Sequence, residues 1–274
     1  MKDSIMQVYM KNGYANKHFV PNGKHDKNND RTGKWKDYEV STEGDYLVVD
    51  SAPMMYIGTY LFYGEGEFYE GKRTGEWKLY VIEDKSLKKI LSKKVNYNNG
   101  VRVGNFECYY PDGHIAQTGR YTNGKIEGRS TMYYNTGKVF GEQSFADGNK
   151  TGVQKYYYPG GKLNFTIEYN NGTRDGKCIT FYEDSTLKET KFYKADSIDG
   201  SYKYYYPNGR LWTERIYNNG ALLNVTQLYD KNGGNLNKGT LNDGNGTVNF
   251  YTEDGKIYMV QTYTNGRVIK EETK

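Results

Sequence analysis

The side chains able to do covalent or metal chemistry are few in this 274-residue chain, and they stand apart. His18, His25 and His114 are the histidines. None sits in an H-E-x-x-H or H-x-x-x-H frame, and none has a cysteine at metal-ligand spacing. No G-x-x-x-x-G-K-[ST] phosphate loop and no G-x-S-x-G nucleophile elbow occurs. The stretch GEGEFYEG from Gly64 to Gly71 resembles a phosphate loop in composition only. No helical pattern follows it to offer an anion its N-terminus, and it reads as a hairpin turn. Glu107, Glu142, Glu168 and Glu214 fall on strand-like segments without recurring partners, so no acid–base pair is indicated. The sequence therefore predicts no catalytic residue, no metal site and no cofactor.

What does recur is chemistry suited to binding. Tyr110, Tyr134, Tyr158, Tyr182 and Tyr206 are followed four positions later by His114, Lys138, Lys162, Thr186 and Arg210. A cation held over a tyrosine ring is worth about 0.5–1 kcal/mol when exposed, and tyrosine and arginine are enriched at binding hot spots. The ladder occupies only the middle of the chain; the equivalent places elsewhere are Glu39, Val81, Asp230 and Thr252. Packing thus does not require it in every unit. Tyr110, Tyr134, Lys138, Tyr158, Lys162, Tyr182, Tyr206, Arg210 and Trp212 are read as a partner-contact strip, with cross-strand packing of the rings as the competing reading.

The elements that must position this strip follow from a repeat. Pro111, Pro159 and Pro207 lie 48 apart in YYPDGH, YYPGGK and YYPNGR, and YYNTGK (Tyr133 to Lys138) and FYEDST (Phe181 to Thr186) lie halfway between, so the period is 24. A fixed period in this range marks a repeat array, which builds an extended surface. Glycines step in register, one series running Gly113, Gly137, Gly161, Gly209 and another Gly100, Gly124, Gly148, Gly172, Gly220, many of them after Asn or Asp. Asn-Gly and Asp-Gly favour turns because both residues tolerate positive φ. The intervening segments are rich in Tyr, Thr, Val and Phe and lack a 3.6-residue apolar period, so each repeat reads as one β-hairpin.

In Tyr110-Pro111-Asp112-Gly113-His114, Pro suits the first turn position and Gly a left-handed residue after it, which predicts a type I turn with a glycine bulge. That turn pairs Tyr110 with His114 and Tyr109 with Ile115. Strict alternation then places Tyr109, Ile115 and Tyr121 on one core face, and the Tyr110 ladder on the other.

The N-terminal part is less regular. DRTGKWKDY (Asp30 to Tyr38) and EGKRTGEWKLY (Glu70 to Tyr80) carry the hairpin signature. The apolar segment from Asp45 to Tyr63 is expected to add strands or cap the sheet, His25 to Arg31 to form a solvated loop, and Val81 to Lys94 to hold a lengthened turn. The organisation expected is irregular N-terminal repeats or a cap over 1–64, a hairpin array over 65–268, and a charged tail over 269–274. The fold class is all-β: an elongated single-layer antiparallel meander of about ten 24-residue hairpins.

Composition sets further bounds. Only 36% of residues are hydrophobic, but 30 Tyr and 33 Gly suit a thin sheet, because tyrosine supplies buried area with a polar tip. The net charge of +5 is spread among both signs without a basic run, which disfavours nucleic acid. There is no apolar run of 18 residues and no signal-peptide core. A soluble chain is expected, with the compartment open between cytoplasm and, were a leader removed, periplasm or exterior. Cys108 and Cys178 fall about three hairpins apart, roughly 29 Å along a sheet, too far for a disulfide, so both are expected as free thiols.

EGKRTGEWKLY at 70–80, YTNGKIEGRSTMYYNTGKV at 121–139, YNNGTRDGKCITFY at 169–182 and DGSYKYYYPNGRL at 199–211 resemble the MORN repeat family in its bacterial variant form. The resemblance covers about residues 65–268. Its tryptophan position is filled here by Phe106, Ser130, Gln154, Cys178 and Tyr202, and Asn224 and Leu241 break the pattern. It implies a β-hairpin array that scaffolds proteins or touches lipid, of a kind often labelled an antitoxin of a toxin–antitoxin system. The reading that follows is a non-enzymatic module binding a protein partner through one sheet face, antitoxin-like or envelope-associated. Its alternatives are a carbohydrate or cell-surface binder and a lipid-surface binder; the oligomeric state is left open.

Overall fold

The structure, a computed structural model, describes residues 22–40, 47–49, 52–54, 61–82, 89–252 and 254–274. Among them there is no helix, and every paired strand runs antiparallel to its neighbour. The chain divides into two compact units, 1–148 and 149–274.

In the first unit Asn22–His25 pairs with Arg31–Val40, and Arg31–Val40 with Leu61–Tyr69. Lys72–Ile82, Lys89–Asn98, Val101–Tyr109, Ile115–Thr122, Gly128–Tyr133 and Val139–Ala146 then follow, each paired with the next. Leu47–Val49 and Ala52–Met54 form a small ladder inside the apolar segment expected to add strands; most of that segment's remainder, and the lengthened turn at 83–88, lie outside the described residues. The stretch from His25 to Arg31 is an exposed, solvated turn, with Asp26 accepting from the Asn28 and Asp30 N–H groups at 2.8 and 3.0 Å.

In the second unit Gly152–Tyr157, Leu163–Asn170, Thr173–Phe181, Leu187–Lys194, Gly200–Tyr205, Leu211–Asn218 and Ala221–Leu228 form the same meander. A three-stranded ladder of Gly246–Tyr251, Ile257–Thr264 and Arg267–Thr273 follows. The residues read as a charged tail thus form most of the last strand. Each unit is an open antiparallel meander of hairpins, and the chain is all-β.

The tight turns take the expected form. The Gly113 N–H donates to the Tyr110 carbonyl and the Tyr110 N–H to the His114 carbonyl, both at 2.9 Å, with Gly113 at φ 94°. Tyr109 faces Ile115 as the turn chemistry predicts. One residue further the ladder slips: Cys108 faces Gln117, so Ala116 is extra. The same second bulge recurs beside Tyr133, Tyr157, Phe181, Tyr205 and Tyr251.

An extra residue reverses the alternation of side chains beyond it. The Tyr121 ring therefore packs on Phe106 at 4.8 Å. Tyr109 lies on the opposite face, where its hydroxyl donates to the Glu107 carboxylate. The expectation that Tyr109, Ile115 and Tyr121 share a core face is overturned, and Ile115 is 39% exposed. The core ladder instead joins the Tyr121 series to the place filled by Trp35, Trp77, Phe106, Ser130, Gln154 and Cys178, all buried.

In the first unit this core is a herringbone of edge-on rings. Trp35 meets Phe68 at 5.7 Å, Phe68 meets Trp77 at 5.2 Å, and Trp77 meets Tyr97 at 6.3 Å. Arg31 lies over Trp35 at 4.7 Å and Arg73 over Trp77 at 4.1 Å, and in the second unit Arg174 caps Tyr193 at 4.4 Å. Gly66 and Gly119 leave room for these rings, since a Cβ there would stand 2.3 Å from Trp77 and 2.6 Å from Phe106. The second unit closes on an aliphatic cluster of Leu222, Val225, Leu228, Leu241, Val248 and Tyr263. Cys108 and Cys178 are both buried free thiols.

Two hydrogen-bond ladders tie consecutive repeats. At the tight-turn edge a tyrosine hydroxyl donates to a carbonyl 23 residues on: Tyr110 to Tyr133, Tyr158 to Phe181, Tyr182 to Tyr205 and Tyr206 to Tyr229, at 2.7–3.0 Å. At the other edge a turn N–H donates to a carbonyl 22 residues back: Gly124 to Arg102, Gly148 to Ile126, Gly172 to Lys150, Asp196 to Arg174 and Gly220 to Ile198, at 2.8–3.1 Å.

Gly172 stands at φ 86°, with Asn149 Oδ1 3.3 Å from where a Cβ would sit, whereas Gly160 has ordinary φ and open space around it. Gly172→Ala should cost about 1 kcal/mol or more, and Gly160→Ala should fall within about 0.5 kcal/mol of the parent. Urea unfolding of the two variants checks this difference.

Candidate functional site

The strip read from the sequence is present as a ladder, but its rings point inward more than expected. Tyr110 is fully buried, and Tyr134, Tyr158, Tyr182 and Tyr206 are half-buried. Lys138, Lys162 and Arg210 are exposed. Each tyrosine N–H donates to the carbonyl of its cross-turn partner at 2.8–2.9 Å, the backbone pairing the turn predicts.

The rings do not use those partners as the sequence suggests. Because the second bulge turns its extra residue onto the tyrosine face, the ring's neighbour is the residue six positions on. Ala116 joins Tyr110 in a buried pair. Phe140 meets Tyr134 edge-on at 5.1 Å, Lys188 Nζ stands 5.4 Å from the Tyr182 ring, and Trp212 tilts over Tyr206 at 5.6 Å. The cross-turn cations turn away. The His114 side chain is 67% exposed, its Nδ1 lies 2.8 Å from Asn135 Oδ1, and the Arg210 guanidinium donates to the Asn232 carbonyl. The hydrogen bond to Asn135, followed by the Asp112 charge, raises the His114 pKa. The bulge position itself has no fixed residue type, which is why sequence reasoning missed it.

In the second unit the strip ends on a ring cluster. Trp212 meets Tyr204 edge-on at 5.3 Å as well as tilting over Tyr206, so the three rings pack as one group. Tyr204 and Tyr251 border the same space and were not foreseen as site residues. Burial, then a hydrogen bond with Tyr204, raises the Tyr182 pKa. Among the described residues no group of three His, Cys, Asp or Glu could hold a metal ion, and no helix is long and apolar enough to cross a membrane.

Burial, with a smaller push from Asp112, moves the Tyr110 hydroxyl up to about 12. A folded-state pKa above the ordinary value near 10 means that its stabilisation is complete below about pH 10 and disappears as pH rises through about 12. Between those limits the parent should lose more stability than Tyr110→Phe, measured by urea unfolding as a function of pH. Parallel losses would contradict the assignment.

Comparison with known families agrees with this geometry. Residues 102–123, 126–147, 150–171, 174–195 and 198–219 each match the model of the MORN repeat variant. Those five consecutive matches identify residues 102–219, less than half of the chain, as a run of MORN-variant repeats. No curated protein gives a significant match.

Proposed function

We propose that this MORN-repeat chain is a non-enzymatic scaffold that binds a protein partner along its tyrosine-edge strip. In the first unit the contact residues are Tyr134 and Lys138, with the buried Tyr110 hydrogen-bonded to the neighbouring Tyr133 carbonyl. In the second they are Tyr158, Lys162, Tyr182, Tyr206, Arg210 and Trp212. The observation that carries the reading is that, within the second unit, the half-buried rings of Tyr158, Tyr182 and Tyr206 recur one repeat apart, roughly 10 Å for two strands, flanked by the exposed cations Lys162 and Arg210.

Hydroxyls donated to the next repeat hold the rings still, so little side-chain entropy is lost on contact. Such a surface suits a partner whose own groups recur at matching spacing. A toxin neutralised by this chain, or an envelope protein, fits that description; the first follows the antitoxin label carried by similar bacterial chains. A lipid surface is less well supported, because a net charge of +5 spread among both signs gives no basic cluster.

Affinity capture from lysate of the source cells, with mass spectrometry, should return a stoichiometric protein. Lys162→Glu with Arg210→Glu reverses two exposed charges without touching the ring ladder, and should reduce its recovery at least tenfold. Equal recovery by parent and variant would place the contact elsewhere.

A further inference from the structure

We infer that the ring cluster in residues 149–274 is a saccharide site that takes a neutral pyranose unit stacked on Trp212 and Tyr206. The cluster borders an open cleft of about 450 Å³, lined by Tyr182, Tyr204, Tyr206, Trp212, Leu236 and Tyr251. That volume falls within the usual range for small-ligand sites. Trp212 reaches it because it is the extra residue of the second bulge: Tyr205 faces Leu211 and Tyr204 faces Thr213.

The polar atoms around the cavity select the ligand. Three of the ring hydroxyls are spent: Tyr182 donates to the Tyr205 carbonyl, Tyr206 to Tyr229 and Tyr251 to Asn237. What these rings present is their faces. The Trp212 indole N–H makes no hydrogen bond among the described residues, whereas Trp35 donates to the Lys24 and Thr32 carbonyls and Trp77 to Glu67. Asp230 holds the Asn232 and Gly234 N–H groups on Oδ1, and its Oδ2 makes no hydrogen bond among the described residues. Those backbone N–H groups keep its pKa low, so it is a carboxylate at neutral pH. Lys231 lines the same cavity and is exposed.

The cavity thus combines ring faces with two free donors and one free acceptor. Sugar hydroxyls both donate and accept, and the C–H face of a pyranose needs only the face of a ring. A cationic ligand fits worse, because Lys188 already stands over Tyr182 and Arg210 acts on Asp230. A proline-rich peptide fits worse too, because proline has no backbone N–H to offer the Asp230 carboxylate, whereas a sugar hydroxyl can donate to it.

This site overlaps the proposed protein-contact strip at Tyr182, Tyr206 and Trp212 but does not depend on a protein partner. The charge-reversed variant above leaves Trp212 in place, so failure of one reading is distinguishable from failure of the other. The test is a neutral-glycan array probed with the full chain, followed by calorimetry with the oligosaccharide that binds and, in parallel, with a proline decapeptide.

At least one neutral oligosaccharide should bind, and Trp212→Ala should weaken it tenfold or more. Trp212→Tyr, which keeps a stacking face, should weaken it only a few-fold. Lys231→Ala, at an exposed position that folding does not need, should weaken it about threefold, which keeps the test valid if Trp212→Ala does not fold. The inference is overturned by an array without neutral hits, by affinity unchanged in Trp212→Ala or, should that variant not fold, in Lys231→Ala, or by the proline decapeptide binding in place of the sugar.

Discussion

The hydrogen bond from a tyrosine hydroxyl to the backbone of the next repeat is the constraint on which the rest of this structure depends. A single-layer sheet has no second layer to cover its core, so each hairpin must be fixed by its neighbours in sequence. The Tyr110 to Tyr133, Tyr158 to Phe181, Tyr182 to Tyr205 and Tyr206 to Tyr229 bonds do this at one edge. The turn N–H groups of Gly124, Gly148, Gly172 and Gly220 do it at the other. Both ladders satisfy carbonyls near turns, where the strand ladder no longer does so. Stability in such an array accrues as intrinsic repeat terms plus nearest-neighbour terms, and these two bonds are nearest-neighbour terms in atomic form.

The second bulge makes the tyrosine ladder geometrically available. Without the extra residue, Tyr110 would lie on the face opposite Tyr121. With it, both point to the same side, the hydroxyl reaches the next turn, and the bulge residue packs on the ring. The identity of that residue then tunes the surface repeat by repeat: Ala116 seals its tyrosine, Phe140 extends it, Lys188 charges it and Trp212 opens a cavity beside it. One position thus sets both the register and the local surface chemistry, so the array can vary that chemistry while the backbone pattern is unchanged.

Much of the fold was legible in the sequence because turn chemistry is local. The 24-residue step, the Asn-Gly and Pro-x-Gly turns, and the Tyr109 to Ile115 pairing all follow from short local motifs. The face assignment was not legible, because a bulge with Ala, Phe, Lys or Trp at its centre has no residue signature, and one slipped residue exchanges the two faces. The site was legible in part for the same reason. The Tyr110 series could be seen as a ladder confined to the middle repeats, yet the commitment of its hydroxyls depends on backbone positions a whole repeat away. Leu236 escaped notice because it lies in the Asn- and Gly-rich stretch of 230–246, where the strand pattern lapses before the last three strands.

Thiol labelling at the second bulge, in a background carrying Cys108→Ser and Cys178→Ser, tests the face assignment most directly. Ile115 is 39% exposed and Ala116 is fully buried. Ile115→Cys should therefore react with a maleimide at close to the rate of an unfolded thiol, and Ala116→Cys should be protected by orders of magnitude under native conditions. Fast labelling at 116 with protection at 115 would mean that the bulge is absent. The tyrosine ladder would then lie on the other face, and the assignments of both the core and the site would be wrong.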